Sequence, residues 1–185
     1  MPSCLCRVRS AHTAQPAARK TTANAVHLLL PTHAQGNVLE LFFINPTLEC
    51  NFNRWYCYES HPKGRMTKKT MNKLKNHLRL KVEDDKITSL NLSWFGGEPL
   101  MYFYEIVYPL TKFAKKLCKN NNIPFVSNVT TNGYYIDEEM IKKINEIGLY
   151  GFQITLDGHR KKHNKVRNAN GKPSYDKIIE NINLL

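Results

Sequence analysis

The chain has 185 residues, 42% of them hydrophobic and 23% charged, with a formal net charge of +12. That length suffices for one compact domain with a sizeable core. No apolar run approaches the ~20 residues that span a bilayer, and the longest near the start, Ala25 to Pro31, also lacks the cleavage flank of a signal peptide.

The positive charge could suit nucleic acid, an anionic membrane or an acidic substrate. The lysines, however, are scattered along predicted helices (Lys68, Lys69, Lys73, Lys75; Lys112, Lys115, Lys116, Lys119), which reads as solvated outer faces. No basic run is interleaved with aromatics as in single-strand binders. Neither nucleic acid nor a membrane is therefore the expected partner. Five cysteines, odd in number and irregular in spacing, do not form a disulfide framework. They point to a reducing compartment, the cytoplasm.

Composition changes near Gly36. Residues 1–36 contain no Asp or Glu and carry Arg7, Arg9, Arg19 and Lys20. Such a leader resembles an organelle transit peptide, but Pro and His interrupt any amphipathic period. A disordered or non-native leader over 1–36, packing little against a domain over 37–185, is the preferred expectation.

From there strands and helices alternate. Leu39 to Asn45 is a short apolar run, read as a buried strand. Thr67 to Val82 is helical, with Met71, Leu74 and Leu78 on one face. Ser89 to Phe95 alternates, with Leu90, Leu92 and Trp94 opposed to Asn91 and Ser93. Tyr104 to Asn120 is a second helix with a stripe from Ile106 to Cys118, and Pro109 sits early enough to be tolerated or to kink it. Phe125 to Thr131 is the third strand. Asp137 caps the third helix and Gly148 stops it. Gly151 to Asp157 is the fourth strand, and Ser174 starts the fourth helix, which carries Tyr175, Ile178, Ile179 and Ile182.

Four βα units in order predict an α/β fold with a parallel sheet. Ligands of such sheets bind at the C-terminal edge of the strands. Four loops fall there: the cysteine loop, Gly96-Gly97-Glu98-Pro99, Asn132-Gly133 and Asp157-Gly158. A cofactor face is expected from Cys57, Gly97, Glu98, Asn132, Thr155 and Asp157. On spacing alone, Cys50 and Cys57 are either metal ligands or ordinary buried thiols. Likewise Gly96-Gly97-Glu98 either lets a backbone approach a ligand, with a carboxylate for an ammonium group, or is a tight turn with a surface Glu.

Taken together these motifs resemble the radical SAM superfamily, whose members carry C-x3-C-x2-C after the first strand and G-G-E-P after the second. Here the register gives Cys50, Arg54 in place of the middle cysteine, and Cys57, with Tyr56 as the aromatic before it. Thr130-Thr131-Asn132-Gly133 and Ile154-Thr155-Leu156-Asp157-Gly158, followed by His163 and Arg167, resemble the peptide- and anaerobic sulfatase-maturating branch, which usually adds a cysteine-rich SPASM domain. The likeness runs from about Leu41 to Leu185.

The resemblance implies a partial TIM-type barrel. It also implies a 4Fe–4S cluster held by thiolates such as Cys50 and Cys57, and S-adenosyl-L-methionine (SAM) as cofactor. An external electron donor would drive SAM cleavage to a radical that modifies a peptide or protein substrate. By family matching, Gly97 and Glu98 would meet the amino group of SAM, Tyr56 the adenine, and Thr155 and Arg167 the ribose and carboxylate. Asp157 would serve the substrate or the ribose. His159 and His163 read as solvated, Cys118 as core, and Cys4 and Cys6 as outside the site.

Two features depart from the pattern. Arg54 cannot ligate iron. The chain also ends after about four of the usual six βα units, without a SPASM extension, so the fourth strand should present an open edge. A fragment or decayed, non-catalytic paralogue that at most binds SAM is the alternative expectation.

Overall fold

The computed structural model describes residues 27–28, 39–83 and 87–185. Four strands, β2 (Leu39–Ile44), β4 (Ser89–Trp94), β5 (Phe125–Thr131) and β6 (Leu149–Ile154), lie side by side and parallel in that order. A two-residue strand, β1 (His27–Leu28), pairs antiparallel with Phe42–Phe43 of β2. This ties two residues of the 1–36 segment to the sheet, where composition pointed to a leader that packs little; the rest of that segment lies outside the described residues.

Alternation along the strands separates two faces, as the pleat requires. Phe42, Ile44, Leu90, Leu92, Trp94, Val129, Phe152 and Ile154 are buried in one core. That core takes in Leu74, Leu78 and Val82 of α1 (Lys68–Glu83), Leu110, Ala114 and Leu117 of α2 (Tyr108–Asn120), and Met140, Ile144 and Ile147 of α3 (Glu138–Ile147). Cys118 is buried with them. The Trp94 indole donates to Thr111 Oγ1 at 3.1 Å, so its polar atom is satisfied.

On the opposite face, polar side chains of β4 and β5 meet beside Phe43 and Phe95. Ser93 donates to Asn128 Oδ1 (2.6 Å) and Asn128 Nδ2 to Asn91 Oδ1 (3.0 Å). Ser93, Asn128, Thr130 and Gln153 line a concavity of about 330 Å³ there. Among the described residues β6 pairs with β5 on one side alone, and Tyr150 on it is exposed.

The helix ends follow local chemistry. Asp137 accepts from Met140 N at 2.7 Å, and Gly148 closes α3 in the left-handed region at φ 72°. Before α2 the chain runs through a 3₁₀ turn, Pro99–Tyr102, and a π turn, Phe103–Val107. Pro109 has no N–H to give back to that turn, and the wider i→i+5 turn accommodates it without a break. Two further helices follow, α4 (Arg160–Val166) and α5 (Tyr175–Ile182). Between them, β7 (Asn168–Ala169) pairs with β8 (Lys172–Pro173) and with β3 (Phe52–Asn53) of the cysteine loop. No helix among the described residues is long and apolar enough to cross a membrane.

Candidate functional site

Parallel pairing brings the C-terminal ends of β2, β4, β5 and β6 to one edge. The long loop after β2 is closed at its base, where Met66 N donates to Pro46 O (2.7 Å) and Thr47 Oγ1 to Gly64 O (2.6 Å). The loop after β4 then lies against the start of it. Gly97 N donates to Thr47 O (3.2 Å) and Glu98 N to Glu49 O (2.8 Å). A Cβ on Gly97 would stand 2.1 Å from Glu49 O and 2.4 Å from Leu48 O. The glycine is required because two backbones meet there, one residue ahead of Cys50.

Glu98 is wholly buried. Its Oε1 accepts from Leu100 N (3.0 Å) and Thr131 Oγ1 (2.6 Å), and its Oε2 from Asn132 N (2.7 Å). Burial pushes the carboxyl above its usual range, against the pull of those three donors and of the Arg54 charge. The carboxylate thus clips the ends of β4 and β5 together. The same bonds set the placement of Asn132. Asn132 Nδ2 in turn donates to Asn51 Oδ1 (2.8 Å) and lies 3.9 Å from Cys50 Sγ.

In the cysteine loop, Cys57 N donates to Arg54 O (3.1 Å), which turns the chain so that Arg54 Nη2 donates to Cys57 Sγ at 3.3 Å. The Arg54 guanidinium also lies 6.0 Å from the Tyr56 ring centre. Burial pushes the Cys50 thiol up, partly offset by the Phe52 N–H donated to its sulfur. Two buried donors in this loop, Asn51 Nδ2 and Arg54 Nε, have no protein acceptor among the described residues.

On the far side Asp157 Oδ2 accepts from Arg167 Nε (2.8 Å) and from the Tyr56 hydroxyl, while Oδ1 has no donor among the described residues. Burial works to raise the Asp157 carboxyl, but Tyr56 and Arg167 together hold it below its usual value. Arg167 is 4% exposed, so it is no surface charge. His163 was expected to be solvated, but it is fully buried. Its Nδ1 accepts from Asp157 N (3.2 Å), and its Nε2 meets Ser174 Oγ (3.1 Å). Ser174 Oγ donates to Arg167 O (2.7 Å).

The structure therefore connects Cys50, Asn132 and Glu98 on one side, and Tyr56, Asp157 and Arg167 on the other, with the Arg54–Cys57 pair in the loop that joins them. Thr155 stands at the same edge, half-buried, with no side-chain hydrogen bond to the protein among the described residues. Sequence reading missed the buried Asn181, whose Nδ2 donates to Gly133 O (2.8 Å) and Tyr134 O (3.0 Å) and fixes the turn after β5. A polar residue on the apolar stripe of the last helix was the available signal. Cys4 and Cys6 lie outside the described residues.

The residues present differ in how they suit the two implied cofactors. For a 4Fe–4S cluster they do not fit. A site-differentiated cluster of this type takes three thiolates; here two thiols stand in the loop, and one of them accepts from a guanidinium that stays charged. No third Cys, His, Asp or Glu joins them among the described residues. For SAM the donor set fits in kind: unpaired donors at Asn51 and Arg54, a free carboxylate oxygen on Asp157, and an aromatic at Tyr56.

Comparison with known proteins agrees with this architecture. A curated relative, the "Serine-type anaerobic sulfatase-maturating enzyme" of Bacteroides thetaiotaomicron, is 28% identical over 143 residues, covering 74% of this chain and 34% of that protein. Among solved structures, "Native anSMEcpe with bound AdoMet" superposes with a TM-score of 0.66 at 23% identity, over 79% of this chain and 40% of that one. "Native anSMEcpe with bound AdoMet and Kp18Cys peptide" gives 0.67 at the same identity and coverage. The chain thus spans well under half the length of these relatives. The family model of the Radical SAM superfamily matches residues 44–185, most of the chain. By that match, and with its strand-end loops in the arrangement described, the chain belongs to the radical SAM superfamily.

Proposed function

We propose that this chain binds SAM at the C-terminal edge of its sheet and, as written, does not cleave it reductively. The observation that carries this reading is the Arg54–Cys57 contact at 3.3 Å, which sets a fixed cation where the family's loop has its middle thiolate. The binding half rests on the rest of the edge. The Gly97 backbone is assigned to the ligand's amino group, with Glu98 holding that loop in place. Tyr56 is assigned to the adenine, Thr155 to the ribose, and Arg167 to the carboxylate. Asp157 Oδ1 is free to accept from the ribose hydroxyls. The unit carrying these residues is 37–185. Its free cysteines, Cys50, Cys57 and Cys118, suit the reducing cytoplasm.

The full reaction of the family becomes testable when the third thiolate is restored. In Arg54→Cys the loop reads C-x3-C-x2-C, and Cys50, Cys57 and the thiol introduced between them are the set that would hold a cluster. An external electron donor and a peptide or protein substrate then become relevant partners. Solved relatives with bound AdoMet, and one with a bound peptide, support that direction. Isothermal titration of SAM into the cluster-free full chain tests the binding half. Saturable one-to-one binding is expected, weakened about tenfold or more in Asp157→Ala, which removes a charged hydrogen-bond acceptor. No binding by the folded chain would refute it.

A further inference from the structure

His163 holds both partners of the Asp157–Arg167 pair by their backbones. It accepts the Asp157 N–H at Nδ1 (3.2 Å), and its own carbonyl accepts the Arg167 N–H (2.7 Å). Through Ser174 it also reaches Arg167 O. These bonds fix its proton. A backbone N–H can only donate, so Nδ1 must be bare. The Ser174 hydrogen is committed to Arg167 O at 2.7 Å, so its oxygen is left to accept from Nε2–H. The network closes with the neutral, Nε2-protonated imidazole. A proton on Nδ1 would set two donors against each other inside a site with no exposure.

We infer that His163 is a positioning residue, and that its neutral Nε2–H form sets the spacing of the Asp157 carboxylate and the Arg167 guanidinium and so the ligand affinity of this edge. The inference rests on the reading of the edge as a SAM site. The charged groups acting on the imidazole are Arg167 and Asp157. From α5, the Tyr175 ring stands edge-on at 5.5 Å, while the exposed Asp176 is paired with Arg160. From β8, Lys172 is exposed, and β7 contributes no titratable side chain. Burial first, and then the Arg167 cation, push the imidazole below its usual value, against the pull of Asp157. The neutral form therefore prevails at neutral pH and above, and positioning is lost as pH falls through the lowered value.

The site has a second route to the same loop. β7 follows Arg167 directly and pairs with Phe52–Asn53, so a displacement of Arg167 is passed to the segment between Cys50 and Cys57. Asn164, on the turn of α4 next to His163, caps α5 by accepting from Ser174 N (3.0 Å) and Tyr175 N (2.9 Å). This leaves the Ser174 hydroxyl for the relay instead of the cap.

The test combines nitrogen-resolved imidazole NMR with SAM titration calorimetry on the full chain between pH 8 and 5. It compares the unmodified protein with His163→Gln, whose side-chain amide can still donate toward Ser174 but does not titrate. The expected spectrum is that of the Nε2–H tautomer, with the Asp157 amide shifting as His163 titrates. The expected affinity is flat above that titration point and falls about tenfold per pH unit below it, a fall missing from the profile of His163→Gln. Ser174→Ala keeps the imidazole and cuts its link to Arg167; it should weaken binding about threefold to tenfold, which keeps the test open should the Gln variant fail to fold. An Nδ1–H tautomer, or the same pH profile in both proteins with binding intact, overturns the role of His163 alone. Absence of SAM binding at every pH in folded protein overturns the reading of the site itself.

Discussion

Glu98 illustrates how a residue picked for ligand chemistry can also serve the fold. A carboxylate at a strand end reads as a ligand contact, yet this one takes three protein donors and has no exposure. Exchanging it for glutamine keeps the shape but turns one acceptor into a donor facing another donor. Glu98→Gln is expected to lose about 2 kcal/mol, read from denaturant unfolding; a loss no greater than that of an exposed substitution would contradict the clip. Residue types at the site were legible because Cys, Glu, Asp and Arg stand out at strand ends. Their partners were not. Thr131, Asn181 and Ser174 are ordinary in sequence, and they become functional through bonds across 33, 48 and 7 positions respectively. His163 was misread for the same reason: nothing in Lys161-Lys162-His163-Asn164-Lys165 shows that one side chain in a basic run turns inward.

At the level of elements, the long pieces were legible and the short ones were not. Four strands and four helices followed from apolar period, and Asp137 and Gly148 marked the ends of α3 where the structure has them. Helix α4 has a single buried residue in seven and so carries no apolar stripe. The two-residue strands β3, β7 and β8 fall below any pattern, yet they brace the cysteine loop. The glycines after β4 were read as access for a ligand; the structure adds that Gly97 is also where two backbones pack. Gly97→Ala would press a methyl group into Glu49 O and Leu48 O, and because both are backbone atoms neither can rotate away. The expected cost is about 2–3 kcal/mol, seen as a lowered midpoint of unfolding. Increased protease cutting between Cys50 and Arg65 should accompany it, since the clamped loop is the part released. An Ala variant as stable as the parent would mean that the two loops are not pressed together.

At the scale of the whole molecule, parallel pairing is what makes a site out of four separate motifs. Residues from Cys50 to Arg167 share one edge because β2, β4, β5 and β6 run the same way. The sheet and its direction were readable from order and spacing, and the family from the resemblance of the loop motifs. Arg54 was readable as a missing ligand and an added positive charge; the structure adds that its guanidinium is bonded to Cys57. A thiolate ligand contributes negative charge to bound iron, whereas Arg54 removes one such charge and adds a positive one. The most direct test is anaerobic iron and sulfide reconstitution of the unmodified chain and of Arg54→Cys. Bound iron, sulfide and absorption near ~400 nm, roughly where thiolate-bound clusters absorb, are measured first. Formation of 5′-deoxyadenosine from SAM under a strong reductant is measured next. The account predicts little or no cluster and no 5′-deoxyadenosine from the unmodified chain, with cluster content rising in Arg54→Cys; equal cluster content in the two proteins, with SAM cleaved by both, would contradict it.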